Sequence, residues 1–541
     1  MKYQPILRAL LSVSDKTKII DLAEVLLQYN CELISTGGTA KALSAAGLPY
    51  TDISLITGNP EAFGGRMKTI SFAVGSALLF DRERDEQEAR SLQILPIDLV
   101  VCNLYPFKKV WEAGADVDTL IENIDIGGPT MVRAAAKNFK YVGVLTNPDD
   151  YAAVIAEMNA NGGAISYQTR RELMRKAFNH TADYDAMIAV AMDGVCDRLS
   201  YRLAFDEGRP LRYGENAHQN AHFYRQRSLA DGQSLFDLEI LHGKALSFNN
   251  IMDIQAAGGA VRLLGRQGCA VVKHNNPCGF SECDKQATAL EQAWAGDPIS
   301  AFGSVIAFNN RVERDSVSFF RLDNPNKQQR KFVEVVLAPD FSPEALDYLQ
   351  QHKDLRVIRA NPAAWLQTED LRYMSGALLR QDSDTVLFEN LTCVTQTPFD
   401  TPQWEALIGF GLKAIMQIKS NSIIVVRQKE GNLQLLGMGA GQPNRLIATK
   451  LALEKCIENI STEAAALGVV DVAGYIKIVL GEAILVSDAF FPFEDNVELA
   501  AEYGIRRIVQ PGGSIRDKHV IAKCNELGVS MVFSGIRHFK H

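Results

Sequence analysis

From Ile6 to about Val195, short apolar runs and helix-like segments alternate, which is the signature of a parallel sheet covered by helices. The run Arg8 to Val13 predicts a buried strand that delivers Ser14-Asp15-Lys16-Thr17. Ser14 or Asp15 is placed there to cap a helix beginning near Thr17. Leu33-Ile34-Ser35 predicts a second strand, running into Thr36-Gly37-Gly38-Thr39 and a helix over Ala40 to Ala46. Asp98 to Cys102 predicts a third, with Asn103-Leu104-Tyr105-Pro106-Phe107 beyond it. In open α/β sheets, ligands bind outside the carboxyl ends of the strands, where these polar stretches fall.

The residues at those ends suit an anion. Glycines at a strand-to-helix turn let backbone N–H groups converge on a negative charge at a helix N-terminus. Taken alone, Gly37-Gly38 is equally well read as a plain tight turn. Directly after Gly64-Gly65, however, Arg66-Met67-Lys68-Thr69 places two cations and a hydroxyl within four residues. With Lys16 and Thr36 to Thr39 these form a candidate phosphate clamp; the blander reading is a solvated basic loop. Asp125-Ile126-Gly127-Gly128-Pro129 opens a helix carrying Arg133 and, one turn on, Lys137, so both can face one cleft. The first histidine of the chain is His180. Unless His180 reaches the same cleft, proton transfer at these strand ends falls to Lys, Asp, Tyr, Cys or water, with Lys137, Asp125 and Tyr105 the candidates and Lys137 read alternatively as a solvated helix lysine.

A chain of 541 residues exceeds one core, so about two to four domains are expected. Composition shifts between Arg198 and Gly208, where a second part begins. Arg212-Tyr213-Gly214-Glu215-Asn216-Ala217-His218-Gln219 is dense in hydrogen-bonding groups and lacks an amphipathic period, as functional loops do. The apolar run Gly268 to Val272 predicts a buried strand leading to Lys273-His274-Asn275-Asn276, with Pro277 and Gly279 ending the pattern. A lysine, a histidine and two amides together at a strand mouth point to a polar ligand, whereas a lone histidine is more often a packed one. Beyond Pro402 the α/β alternation restarts, through Lys419-Ser420-Asn421-Ser422, a Gly-rich turn before Arg445, and Ser487-Asp488-Ala489-Phe490-Phe491-Pro492-Phe493. Three phenylalanines beside an acid can line a pocket for a flat ring, or simply pack a core.

A net charge of −8 with no long Lys/Arg run argues against nucleic acid. No apolar stretch approaches membrane-spanning length and the N-terminus lacks a cleavage pattern, so no membrane contact is expected. The nine cysteines are scattered, without C-x-x-C or zinc-ligand spacing. That pattern predicts a cytoplasmic protein with reduced thiols and no protein-bound metal.

Taken in order, SVSDKT, STGGTAKAL, GGRMKT, CNLYPF, DIGGPTMVRAAAKN, RYGENAHQ, KHNNPCG, DPISAFG, IKSNS, GMGAGQ, SDAFFPF, QPGGSIRD and IRHFKH span nearly the whole chain. This series resembles the bifunctional purine biosynthesis family that joins AICAR formyltransferase to IMP cyclohydrolase. The resemblance implies an α/β fold throughout. A methylglyoxal-synthase-like domain would occupy residues 1–198, and two cytidine-deaminase-like units without zinc residues 199–390 and 391–541. It implies that Lys16, Thr36, Gly37, Gly38, Thr39, Arg66, Lys68 and Thr69 hold a nucleotide 5′-phosphate, with Ser14 also binding substrate, while Asn103, Tyr105, Asp125, Gly127 and Lys137 surround the base. Around AICAR it implies Arg212, Tyr213, Gly303, Glu334, Asn421 and Arg445, with Arg537 a phosphate ligand. Asp488, Phe490, Phe491, Phe493 and Asn496 correspond to positions facing the cosubstrate, 10-formyltetrahydrofolate. His274 would take a proton from the AICAR amine, and Lys273 would stabilise the oxyanion or protonate the leaving folate nitrogen. The implied ligands are AICAR, formyl-AICAR, IMP and reduced folate, and the implied assembly is a homodimer.

One departure stands out. Where the family usually reads K-T-L-H-P-K-V-H-G-G, this chain has Lys68-Thr69-Ile70-Ser71-Phe72-Ala73-Val74-Gly75-Ser76-Ala77, without either histidine. Two readings of the first domain follow: a cyclohydrolase that works without them, or a domain that only binds a nucleotide and regulates an active formyltransferase.

Overall fold

A computed structural model of the chain describes residues 3–60, 62–63, 67–399 and 401–541, with side chains omitted at 401–403. Arg66, one of the expected phosphate ligands, lies outside the described residues. The chain divides into two compact units, Met1–Ala204 and Phe205–His541.

The first unit is built on a five-stranded sheet in the order Thr51–Asp52, Glu32–Ser35, Arg8–Leu11, Leu99–Val101, Gly143–Leu145. Every pairing is parallel, with Leu10 opposite both Ile34 and Val100. The strands are apolar on both faces because helices cover both. On one side Leu10, Ile34, Val100 and Val144 pack with Val132, Ala135 and Ala177. On the other, Ala9, Leu11, Leu33 and Val101 pack with Leu22, Leu26 and Val154. Arg170 is fully buried, its guanidinium donating to the carbonyls of Ile165, Lys140 and Phe139. Chain order reverses between Arg8–Leu11 and Leu99–Val101, and at such a switch point two successive loops diverge and leave a crevice. Ser12 to Lys16 and Cys102 to Phe107 are the loops that leave those two strands.

Two local expectations change. The helix after Lys16 spans Ile19–Gln28, and its N-cap is Lys18 in the left-handed region, so neither Ser14 nor Asp15 caps it. The Asp15 carboxylate accepts instead from the Thr17 N–H and hydroxyl, a closed local turn that satisfies those groups before the helix starts. The second helix starts at Gly37 rather than Ala40.

The second unit carries a twelve-stranded sheet whose two halves repeat one pattern outward from the middle. In the first half, Asn276–Cys283 pairs antiparallel with Gln267–Lys273, and that strand antiparallel with Ser304–Phe308. Two parallel pairings follow, to Val333–Ala338 and Arg356–Arg359, and an antiparallel edge strand Glu239–His242 closes the half. The second half runs Asn432–Gly439, Ile423–Lys429, Ile484–Ser487, Arg507–Gln510, Ser530–Phe533 and Thr392–Cys393 with the same succession of directions. The halves meet where Ser281 opposes Gln434 and Glu282 opposes Leu433.

Pro277 and Gly279 do not end the strand pattern. They lie inside Asn276–Cys283, where the register shifts so that Val271 faces Gly279 and Val272 faces Pro277. A bulge is where a sheet tolerates proline. Gly279 is required for packing, since a Cβ there would stand 1.8 Å from the Ala293 carbonyl oxygen.

Candidate active sites

At the switch point of the first unit is a cleft of about 680 Å³. Its lining includes Ser14, Lys16, Thr36, Gly38, Thr39, Lys68, Thr69, Asn103, Tyr105, Asp125 and Gly127, all expected from the sequence. These residues come from five separate stretches, and the sheet order brings them together. Thr36 makes no side-chain cap, so the first N–H groups of helix Gly37–Ala45 are not capped by it. A Cβ on Gly37 would lie 3.5 Å from Lys68 Nζ, and one on Gly38 3.4 Å from Lys16 Nζ. Two ammonium groups thus flank a helix N-terminus whose first residue has φ +52°, an arrangement that suits a phosphate.

Two of the expected ligands have a framework task. The Thr39 hydroxyl donates to the Val13 carbonyl and accepts from the Val13 N–H. The Asn103 amide accepts from the N–H groups of Ser14 and Asp15 and donates to the Asp15 carbonyl. Together they hold Val13 to Asp15, and with them Lys16, at the cleft.

Asp125 lines the same cleft. Its Oδ1 accepts from the Gly128 N–H at 2.8 Å, and its own N–H donates to the Tyr184 hydroxyl at 2.9 Å. Burial raises its carboxyl above the ordinary value of 3.8, although backbone hydrogen bonds from Gly128 and Tyr105 and the Lys68 charge act the other way. A Cβ on Gly128 would lie 2.5 Å from Asp125 Oδ2, so a larger residue here would displace the carboxylate.

Lys137 stands apart from this group. It is exposed at the last position of helix Gly127–Lys137, about 15 Å along the axis from Gly127 at 1.5 Å per residue. It is not among the residues that line the cleft. The sequence reading missed the apolar wall formed by Ile70, Ile121, Ile124, Ile126 and Met131. No local pattern distinguishes those residues from ordinary core. The segment that departs from the family supplies Ile70 to this wall, while Ser71 caps helix Phe72–Leu79 by accepting from the Val74 N–H.

The second site lies at the junction of the two half-sheets. Lys273-His274-Asn275-Asn276 is a two-residue hairpin loop, with Lys273 paired to Asn276. His274 is exposed rather than buried, free to meet a ligand from solvent. Lys273 Nζ donates to the carbonyls of Phe302 at 2.7 Å and Gly303 at 3.3 Å, which joins the DPISAFG loop to the hairpin. The Lys419 N–H donates to Asn276 Oδ1 at 3.2 Å, which brings in the KSNS loop from the other half. Asn421 Nδ2 donates to the carbonyls of Gln442 and Pro443 at the Gly-rich turn. The chain end joins here as well: the Ser420 N–H donates to the Lys540 carbonyl, and the Lys540 N–H to Ser420 Oγ. Burial lowers the Lys540 ammonium below its usual value.

The remaining expected residues divide. The Asp488 carboxylate is fully buried and pairs with Arg445 at 2.8 Å while accepting from the Ser422 N–H. Two residues expected on opposite ligands are thus partners of each other. Arg445 also approaches the Phe539 ring, which Arg537 covers at 4.5 Å. Glu334 accepts from Arg356 at 2.7 Å, one residue beyond Val333, which pairs with Ser304 beside Gly303. Arg212 lies 5.5 Å from the Tyr213 ring, in a loop whose Glu215 carbonyl accepts from Asn249. Phe490 is half-buried and Phe493 exposed under Arg516, so both can meet a ligand. Phe491 and Asn496 are core residues: Phe491 packs with Ile423 and Leu485, and Asn496 accepts from Thr449. The two-fold choice for the Phe-rich stretch, pocket or core, resolves residue by residue.

The sequence matches the MGS-like domain over residues 18–130 and the AICARFT/IMPCHase bienzyme over residues 135–455. The bifunctional purine biosynthesis protein PurH of Persephonella marina is 40% identical over 544 residues, covering 99% of each chain. The protein of the same name from Ruminiclostridium cellulolyticum is 40% identical over 550 residues, again 99% of each. That from Clostridium botulinum is 41% identical over 538 residues and 99% of each. With two sites built from the motifs of this series and relatives matched from end to end, the chain belongs to the AICARFT/IMPCHase bienzyme family.

Proposed function

We infer that this chain carries out the last two steps of IMP synthesis: formyl transfer from 10-formyltetrahydrofolate to AICAR, then dehydrative ring closure of formyl-AICAR to IMP. The observation that carries this reading is the meeting of Lys273, His274, Gly303 and Lys419 at one junction while a separate cleft gathers a phosphate cradle and a raised carboxyl.

In the second unit the AICAR amine is a weak nucleophile, its lone pair delocalised into the imidazole and carboxamide. His274, exposed at the hairpin tip, takes the amine proton as the nitrogen attacks the formyl carbon. Lys273, already held by two carbonyls, lies where charge develops on the formyl oxygen. Asn421 and Lys419 orient the carboxamide, and Arg212, Tyr213 and Arg537 engage the nucleotide. Phe490 and Phe493 offer surfaces to the folate ring system.

In the first unit Lys16, Lys68 and the helix at Gly37 hold the phosphate. Closure is intramolecular, so selecting one rotamer of the formyl group against the apolar wall supplies much of the rate. Asp125 takes one proton from the carboxamide nitrogen as it closes on the formyl carbon, and Tyr105 protonates the formyl oxygen to a hydroxyl. That hydroxyl leaves as water with the proton held by Asp125, while the former formamide nitrogen returns its proton to Tyr105 and forms the C=N bond. A buried carboxyl with raised proton affinity suits that task. Lys137 is assigned no step.

The repeated half-sheets support a division of the second part into two like units at 199–390 and 391–541, which we read as cytidine-deaminase-like and independent of zinc. A homodimer is supported by the hairpin Glu369–Met374 and Ala377–Asp382, which exposes Tyr373, Met374, Leu378 and Leu379. A two-stranded hairpin is marginal alone, and a second copy would cover it. Free thiols at all nine cysteines suit the cytoplasm. Lys273→Ala and His274→Ala should each abolish formyl transfer yet leave closure of supplied formyl-AICAR intact, as followed by absorbance. Equal loss of both activities would contradict the two-site division.

A further inference from the structure

The hairpin that presents His274 is conformationally demanding. His274 and Asn275 are its two central residues and both lie in the left-handed region, with φ 51° and 63°. A two-residue hairpin loop of this kind favours Asn-Gly, because both central positions need positive φ. Histidine and asparagine enter this region more readily than most residues, but neither does so as freely as glycine. A contact from outside the hairpin would steady this backbone.

Asp253 supplies one. It lies one turn into helix Phe248–Val261, whose N-cap is Ser247, and its Oδ1 accepts the Asn275 N–H at 2.7 Å. Asp253 is half-buried; burial raises its carboxyl, while the N–H groups of Asn275 and His274 and the charges of His274 and Lys273 favour the ionised form. The same helix anchors the RYGENAHQ loop through Asn249. A single rigid element therefore supports both the loop that carries Arg212 and the turn that carries His274.

We propose that Asp253 is a positioning residue for formyl transfer: its carboxylate accepts the Asn275 N–H, holds the His274–Asn275 turn and so aims the imidazole at the AICAR amine. It touches neither substrate nor reacting atoms. The inference rests on His274 serving formyl transfer, so both are tested together.

The experiment measures kcat and the AICAR KM of formyl transfer in the full-length enzyme carrying Asp253→Ala, Asp253→Asn, Asp253→Ala with Asn275→Gly, or His274→Ala. Ring closure of formyl-AICAR by the same preparations checks the protein quality. Asp253→Ala should lower kcat about ten- to a hundred-fold, the scale of a misplaced catalytic group, with the AICAR KM within about three-fold. Asp253→Asn should fall between, because its amide oxygen still accepts. Adding Asn275→Gly to Asp253→Ala should recover about ten-fold, because glycine adopts positive φ without support. Wild-type kcat in Asp253→Ala overturns the proposal, as does a KM rise matching the loss of kcat, or a loss that neither Asp253→Asn nor Asn275→Gly relieves. If Asp253→Ala does not fold, Asp253→Asn decides, and an unchanged kcat overturns it. Formyl transfer surviving in His274→Ala would instead sink the underlying assignment.

Discussion

Asp125 shows how one residue sets a pH dependence. Burial raises its carboxyl above 3.8, so on acidification the carboxylate is lost earlier than an exposed aspartate would lose it. Ring closure should therefore fall as pH drops through that raised value, and a profile of kcat/KM for formyl-AICAR should show this acid limb. Asp125→Asn should remove most of the activity and the limb with it. The sign for stability is opposite. A raised folded-state value favours folding below 3.8 and loses that contribution as pH rises, so Asn should be neutral or slightly stabilising at pH 7 in a urea titration. Asp125 was legible from sequence because the D-I-G-G turn places an acid before a helix start. Lys137 is not among the cleft-lining residues, and spacing along one helix face says nothing about which end of the helix meets a cleft.

At the scale of elements, the hairpin Gln267–Cys283 carries much of the second site. Its apolar run identified it as a strand, but Pro277 and Gly279 suggested a stop where the chain makes a bulge and continues. The reason is tertiary: helix Gln286–Ala295 lies so close that only glycine fits at 279. Gly279→Ala should cost about 3 kcal/mol or more, since backbone rather than a flexible side chain must move. A lower urea midpoint for loss of formyl transfer, with the midpoint for ring closure unchanged, would register that cost. Similarly, Phe491 and Asn496 could not be told from their ligand-facing neighbours in sequence, because exposure there is decided by Ile423, Leu485 and Thr449 from other elements.

At the scale of the molecule, the sheet orders explain why scattered motifs converge. In the first unit the order reversal gathers loops leaving Leu11 and Val101; in the second, the antiparallel seam at Ser281 and Gln434 brings Asn276 to Lys419 across a gap in sequence of more than a hundred residues. The alternation of strands and helices announced both sheets. The repeat between the half-sheets has no counterpart in residue identity, because directions and order can persist where side chains have changed. Two chemistries on one chain, each at its own site, is the central claim, and the first unit tests it hardest because the residues lining its cleft include no histidine. The most direct measurement is absorbance after mixing the pure protein with formyl-AICAR in the absence of folate. Conversion to IMP well above the uncatalysed rate, lost in Asp125→Asn, is the predicted result. Saturable binding without conversion would contradict it and leave the first unit as a nucleotide-binding regulator of the formyltransferase.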